Sequence, residues 1–124
     1  MVFVTADRCR AQLERLTQLL VSVFPGSTVY QHTEVLRASH DVLNNKVDAV
    51  FLAAQEDKNS DLQLIERLHR QKPGLPVFVT AASDALRQVA QEAGADGYFV
   101  LPGSEAQITE AIRREKAEKA AYHK

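Results

Sequence analysis

Apolar residues along this chain follow two alternating rhythms. Short apolar runs cover residues 2–4, 49–54, 77–79 and 98–101, with a weaker one at 28–30. They are rich in Val, Phe and Tyr, and several are apolar at every position rather than at every second one. Strands covered on both faces read this way, so the runs predict a parallel sheet wrapped on both sides. Between them the spacing is helical. Cys9, Leu13, Leu16, Leu20 and Val23 form one stripe of a helix that Pro25-Gly26 ends. Thr33 is placed to cap a second helix carrying Leu36, Val42 and Leu43 inward. Leu62, Ile65 and Leu68 mark a third, stopped by Pro73-Gly74. Ser83 is placed to cap a fourth, with Leu86, Val89, Ala90 and Ala93 inward and Gly94 as its stop. Ser104, with Gln107 three residues on, forms a capping box for a fifth helix carrying Ile108 and Ile112.

The predicted order alternates strand and helix five times. Parallel strands joined by helical crossovers give an α/β, doubly wound, five-stranded parallel sheet with helices on both faces. One domain accounts for residues 1–124, with about 113–124 as a charged, alanine-rich helical tail or linker. In such sheets, functional sites collect at the carboxyl ends of the strands. Those ends are Thr5-Ala6-Asp7, Ala53-Ala54-Gln55-Glu56, Thr80-Ala81 and Leu101-Pro102.

Composition narrows the function classes. A net charge of −1 supplies no field to draw the domain to nucleic acid or to an anionic membrane. The apolar runs are too short to span a bilayer. The single cysteine, Cys9, rules out an internal disulfide, and its place on the first helical stripe reads as a small buried hydrophobe. No secretory leader pattern opens the chain, so the expected location is cytoplasmic. The first strand-to-helix turn, Thr5-Ala6-Asp7-Arg8, contains no glycine, and neither a dinucleotide fingerprint nor a Walker sequence occurs elsewhere. No cofactor is expected. His32, His40, His69 and His123 lack metal-ligand spacing and default to the surface. Asp7, Glu56 and Asp57 offer oxygen ligands for a weakly held divalent cation, or simply a solvated acidic rim.

Four segments carry a family resemblance. Val47-Asp48-Ala49-Val50-Phe51-Leu52-Ala53 resembles the third-strand motif PDLVLLD of response-regulator receiver domains, and the register continues without a gap to Leu68. Leu75-Pro76-Val77-Phe78-Val79-Thr80-Ala81 is similar to LPVIVLTA, one residue short. Glu92-Ala93-Gly94-Ala95-Asp96-Gly97-Tyr98-Phe99-Val100-Leu101-Pro102 is close to EAGADDYLVKP. The resemblance covers essentially the whole chain and implies a flavodoxin-like, CheY-like (βα)5 fold. It also implies a cis peptide at Leu101-Pro102.

Receivers of this family transfer a phosphoryl group onto an aspartate that ends the third strand. An acidic pair ending the first strand holds Mg²⁺, while a Ser/Thr and a Lys ending the fourth and fifth strands bind phosphoryl oxygens. Metal and lysine neutralise the charge that the transferring group brings. Carried onto this chain, the acceptor position is Ala53, which has no nucleophile. The lysine position is Leu101, and the acidic pair falls on Thr5-Ala6 or on Ala6-Asp7. Only Thr80 is retained. The losses agree with one another, since a lysine left without its aspartate would be desolvated without compensation.

The resemblance therefore implies a degenerate receiver, a pseudo-receiver that regulates by protein interaction and is not an enzyme. Thr80 and Tyr98 fall on the family's switch pair, in which a hydroxyl shift lets the aromatic ring turn inward. The bland alternative is a ring packed at the sheet edge with its hydroxyl wet. The family's interaction face would carry Arg87, Gln88, Gln91, Tyr98, Ile108 and Arg114. The partners it implies are an output domain, a DNA-binding effector, a histidine kinase, or a second copy of the chain through helix four, strand five and helix five. Two further readings stay open: a small-ligand binder or enzyme on the same scaffold, and a phosphoacceptor relocated to Glu56 or Asp57.

Overall fold

The structure, a computed structural model, describes residues 1–54 and 60–122, with side chains for 1–54 and 62–118. The strands are β1 (Val2–Ala6), β2 (Thr28–His32), β3 (Ala49–Ala53), β4 (Val77–Ala81) and β5 (Gly97–Val100). The helices are α1 (Arg10–Val23), α2 (Val35–Asn44), α3 (Ser60–Gln71), α4 (Arg87–Glu92) and α5 (Glu105–Tyr122), and a 3-10 turn at Asp84–Leu86 leads into α4. All strand pairs are parallel, and the sheet order is β2-β1-β3-β4-β5. The chain thus has the doubly wound, flavodoxin-like α/β fold that the two rhythms predict.

Alternation along the strands sorts the core into two layers. Val4, Ala6, Val50, Leu52, Val77 and Val79 face α2, α3 and α4, meeting Val35, Ala38, Val42, Ile65, Leu68 and Ala90. The opposite face meets Leu16 and Leu20 of α1 and Ile108 and Ile112 of α5. Every residue of β3 is buried, as expected for a central strand with helices above and below.

The α1/α5 layer is built on phenylalanine. Phe3, Phe51, Phe78 and Phe99 run across β1, β3, β4 and β5, with ring centroids 6.3, 5.2 and 5.6 Å apart, and Phe24 adds to Phe3 at 6.0 Å. These five are all the phenylalanines of the chain, and they all pack on this one face. Gly97 sits opposite Phe78 in the β4–β5 register. A Cβ there would lie 2.9 Å from the Phe78 ring and 3.1 Å from that of Phe99. Glycine at 97 is therefore a packing requirement of the ladder.

Two aspartates close the amino end of the sheet. Asp48, one residue before β3, accepts the Val2 N–H of β1 at 2.7 Å. Asp96, one residue before β5, accepts the Val77 N–H of β4 at 2.8 Å. Each satisfies the first N–H of a neighbouring strand, a donor left over where the ladder begins.

Several expectations are corrected. In α2, the helix begins at Val35 and buries Val35, Ala38 and Val42, leaving Leu36 59% and Leu43 44% exposed. The cap position is Glu34, not Thr33. Val89 of α4 is exposed as well, leaving Ala90 as that helix's buried residue. Cys9 is exposed, because it is the N-cap of α1 and its extended backbone takes it off the helical stripe. His32 and His69 are half-buried and paired with Asp41 and Asp96 respectively, not simply solvated. Gly94, at φ +98°, ends α4 as expected.

Candidate functional site

At the carboxyl edge of the sheet, the strand ends bring four of the named positions together. Ala53 and Thr80 are direct neighbours in the β3–β4 register, and Ala54 N–H donates to the Thr80 carbonyl at 2.8 Å. Leu101 N–H donates to the Ala81 carbonyl at 2.9 Å, which places the residue after β5 beside them. Asp7 follows β1 directly, its N–H donating to the His32 carbonyl at 3.0 Å. Asp7, Ala53, Thr80 and Leu101 all line one half-open cavity of about 270 Å³. The Leu101–Pro102 peptide is cis, as the resemblance implies.

Asp7 borders the cavity, whereas Thr5 and Ala6 are buried in the sheet. Thr5 Oγ1 is fully buried and has no hydrogen-bond partner among the described residues. Asp7 is the one carboxylate among the described residues that line the cavity. Burial raises the Asp7 pKa above the usual aspartate value, and the hydrogen bond from Cys9 N–H opposes that rise only in part. That bond, 2.8 Å to Oδ1, fixes the carboxyl against the start of α1. Glu56 and Asp57 lie outside the described residues. Among those described, no group of three or more His, Cys, Asp or Glu side chains is placed to hold a metal ion.

The Ala53 methyl has no lone pair to attack with, and the Leu101 side chain has no proton to donate. Thr80, a buried residue at 4% exposure, lies on the strand between them.

Tyr98 is turned inward. It is 7% exposed, and its hydroxyl donates to the Ser83 carbonyl at 2.6 Å, tying β5 to the segment after β4. The wet-hydroxyl reading is thereby overturned. The Arg87 guanidinium lies 4.9 Å from the ring centroid and is held there by Asp84, at 2.9 and 2.6 Å. Arg87, Gln88 and Gln91 are exposed around this point, and so is Arg114, which pairs with Glu110 at 3.2 Å. Ile108 belongs instead to the core, fully buried with Ile112, because α5 packs that stripe on the phenylalanine face. Sequence reasoning missed Ser83 as an acceptor and Asp84 as the anchor of Arg87. It also missed Gln12, in the first turn of α1, as part of the cavity wall.

A larger, shallower depression of about 1110 Å³ lies at the amino end of the sheet, walled in part by Lys46, His69, Lys72 and Asp96. Polar groups there are engaged in holding the fold. Lys72 Nζ donates to the Asn45 carbonyl, and Asp96 serves both His69 and Val77. The carboxyl edge is the better candidate.

No family model matches the chain, and no curated protein matches it in sequence. Solved structures do match. A response-regulator receiver domain from Clostridium thermocellum superposes with a TM-score of 0.81 at 18% identity, covering 98% of each chain. The signal receiver domain of an HD domain-containing protein from Pseudomonas fluorescens gives 0.80 at 23%, covering 97% of each. A LuxR family DNA-binding response regulator from Silicibacter pomeroyi gives 0.73 at 24%, covering 91% of this chain and 88% of the other. The fold is that of the CheY-like receiver domains. Among the described residues, no helix is long and apolar enough to cross a membrane.

Proposed function

We propose that this protein is a pseudo-receiver in two-component-type signal transduction, working as a cytoplasmic regulatory module through protein contacts and not through phosphorylation. The observation that carries the reading is the adjacency of Ala53, Thr80 and Leu101 around one cavity, with alanine and leucine where receivers hold the acceptor aspartate and the lysine. Receiver domains with this fold occur in DNA-binding response regulators and in an HD domain-containing protein, which favours an output domain as the partner. A histidine kinase or a second copy of the chain are the other partners in keeping with the fold. In this role the domain catalyses no reaction of its own.

The inward Tyr98 gives the reading a direction. In phosphorylated receivers the switch aromatic turns inward when the hydroxyl at the Thr80 position moves toward the phosphoryl group. Here the ring is inward while alanine stands at position 53, where the resemblance puts the acceptor, and it is held by Ser83 and covered by Arg87. The module would therefore stand in the active-like state, with Arg87, Gln88, Gln91 and Arg114 on the surface offered to the partner.

The test is incubation of the purified chain with acetyl phosphate and Mg²⁺, followed by intact-mass measurement. The expected outcome is an unmodified mass at every time point. A stable increment of one phosphoryl group, lost on treatment with hydroxylamine, would point to a relocated carboxylate acceptor such as Glu56 or Asp57 and overturn the reading.

A further inference from the structure

The cavity at the carboxyl edge carries, at Asp7, a charge that its other described lining side chains do not balance. Asp7 is its only carboxylate among the described lining residues, and it has no ion-pair partner among those residues. Gln12 and Thr80 add an amide and a hydroxyl. Ala53, Ala54 and Leu101 supply an apolar wall. One side of this space is thus anionic and hydrogen-bonding, and the other is covered with methyl groups.

Ligand classes can be sorted against that lining. Mg²⁺ demands six oxygens in near-octahedral order, and Ca²⁺ as many or more. The described side chains of the wall offer one carboxylate and two neutral oxygens, a poor set for either ion beside the methyl groups of Ala53 and Leu101. An anion would meet the Asp7 charge with no cation among the described lining residues to oppose it. A neutral apolar molecule would cover the methyl groups but strip water from the carboxylate without replacing it. A primary ammonium on a short alkyl stem answers both sides. Its three N–H donors equal in number the Asp7 carboxylate and the Thr80 and Gln12 oxygens that share the cavity lining, and its methylenes suit the apolar side chains of Ala53 and Leu101.

We propose that the cavity binds a short primary alkylammonium group, carried either by a free amine or by the lysine side chain of a partner protein. The volume of about 270 Å³ suits such a group and is below that of sites built for drug-sized ligands. The proposal goes beyond the interaction-module reading and is tested separately from it, since amine binding needs no knowledge of whether the chain can be phosphorylated.

The experiment is a set of amide NMR titrations of the whole chain at neutral pH and constant ionic strength. The probes are n-butylammonium chloride, Nα-acetyl-lysine N-methylamide, n-butanol and MgCl₂. The expected result is saturable shifts for an ammonium probe, centred on Asp7, Ala53, Thr80 and Leu101. Asp7→Asn should weaken that binding by about tenfold or more, the loss of one charge-assisted hydrogen bond. Saturation by butylammonium but not by the lysine derivative identifies a free amine as the ligand. The reverse identifies a partner's lysine, and saturation by both supports the shared chemistry. Three results overturn the proposal. They are the absence of saturable shifts with either ammonium probe, butanol binding as tightly as butylammonium, and Mg²⁺ displacing the amine from the same residues. Retained thermal stability of the Asp7→Asn chain excludes misfolding as the cause of lost binding.

Discussion

The Tyr98 hydroxyl donates to the Ser83 carbonyl at 2.6 Å, joining the middle of β5 to the turn that begins α4. Tyr98→Phe keeps the ring and removes the bond. We expect a loss of about 1 kcal/mol in unfolding free energy. Hydrogen exchange should also quicken at Ser83, Asp84 and Arg87, because the segment loses its tether. Exchange in that segment unchanged from the parent chain would mean that the ring alone holds the loop.

Gly97 is fixed by the ring ladder and not by a turn. Gly97→Ala gains some strand propensity, but its Cβ would meet Phe78 at 2.9 Å. Overpacking of this kind costs about 1–3 kcal/mol, more than the roughly 0.5–1 kcal/mol that alanine recovers over glycine. Denaturant unfolding should show a lower midpoint at unchanged slope. An equal or higher midpoint would mean that Phe78 and Phe99 shift at no cost.

Thr5 presents the opposite case, a polar group the core does not use. Its Oγ1 is buried without a partner among the described residues. Thr5→Val preserves the shape and removes a desolvated hydroxyl, so stability should rise by about 1 kcal/mol. A loss of stability in the valine chain would reveal an acceptor or an ordered water serving that hydroxyl.

Most of the fold was legible because the strands carry their signal twice, in β-branched and aromatic content and in glycine or proline at their borders. The errors arose where periodicity is degenerate. Leu36 and Leu43 are larger than Ala38 and seven residues apart, so they read as a core stripe. The helix instead buries the stripe one residue away, through Val35 and Val42. Cys9 continues the spacing of Leu13 and Leu16 backwards, yet it precedes the first helical turn, so the 3.6-residue rule no longer applies to it. Ile108 was grouped with the surface of helix five, although its four-residue spacing to Ile112 marks the buried side. In the candidate site, the positions Asp7, Ala53, Thr80 and Leu101 could be read from strand ends. The Ser83–Tyr98 bond could not, since a backbone acceptor leaves no trace in residue type. Asp48 and Asp96 did leave one: each stands one residue before a strand, where it can reach the neighbouring strand's first N–H.

Asp7 should make stability depend on pH in a specific sense. Its folded pKa is raised by burial, so the folded chain holds the proton more tightly than the unfolded one. The sign follows: this group favours folding most below the unfolded value of 3.8, and the advantage is lost as pH rises through the folded pKa. Asp7→Asn should therefore be slightly more stable than the parent at neutral pH, by at most about 0.5 kcal/mol given solvent screening of a half-exposed group. The difference should shrink on acidification. Thermal melts of both chains from neutral to acid pH check this, and a parent more stable than the asparagine chain at neutral pH contradicts it.

The central claim is that the state of the Tyr98 face no longer answers to phosphoryl chemistry at Ala53 and Leu101. Its most direct test is amide and aromatic NMR of the whole chain with and without Mg²⁺ plus beryllofluoride, the stable phosphoryl mimic. The account predicts an inward Tyr98 ring in both samples, seen by contacts to the Ser83 segment, and unchanged amides at Ala53, Thr80 and Leu101. Saturable shifts at those strand ends, spreading to Tyr98, would contradict it and restore a working acceptor site to this edge of the sheet.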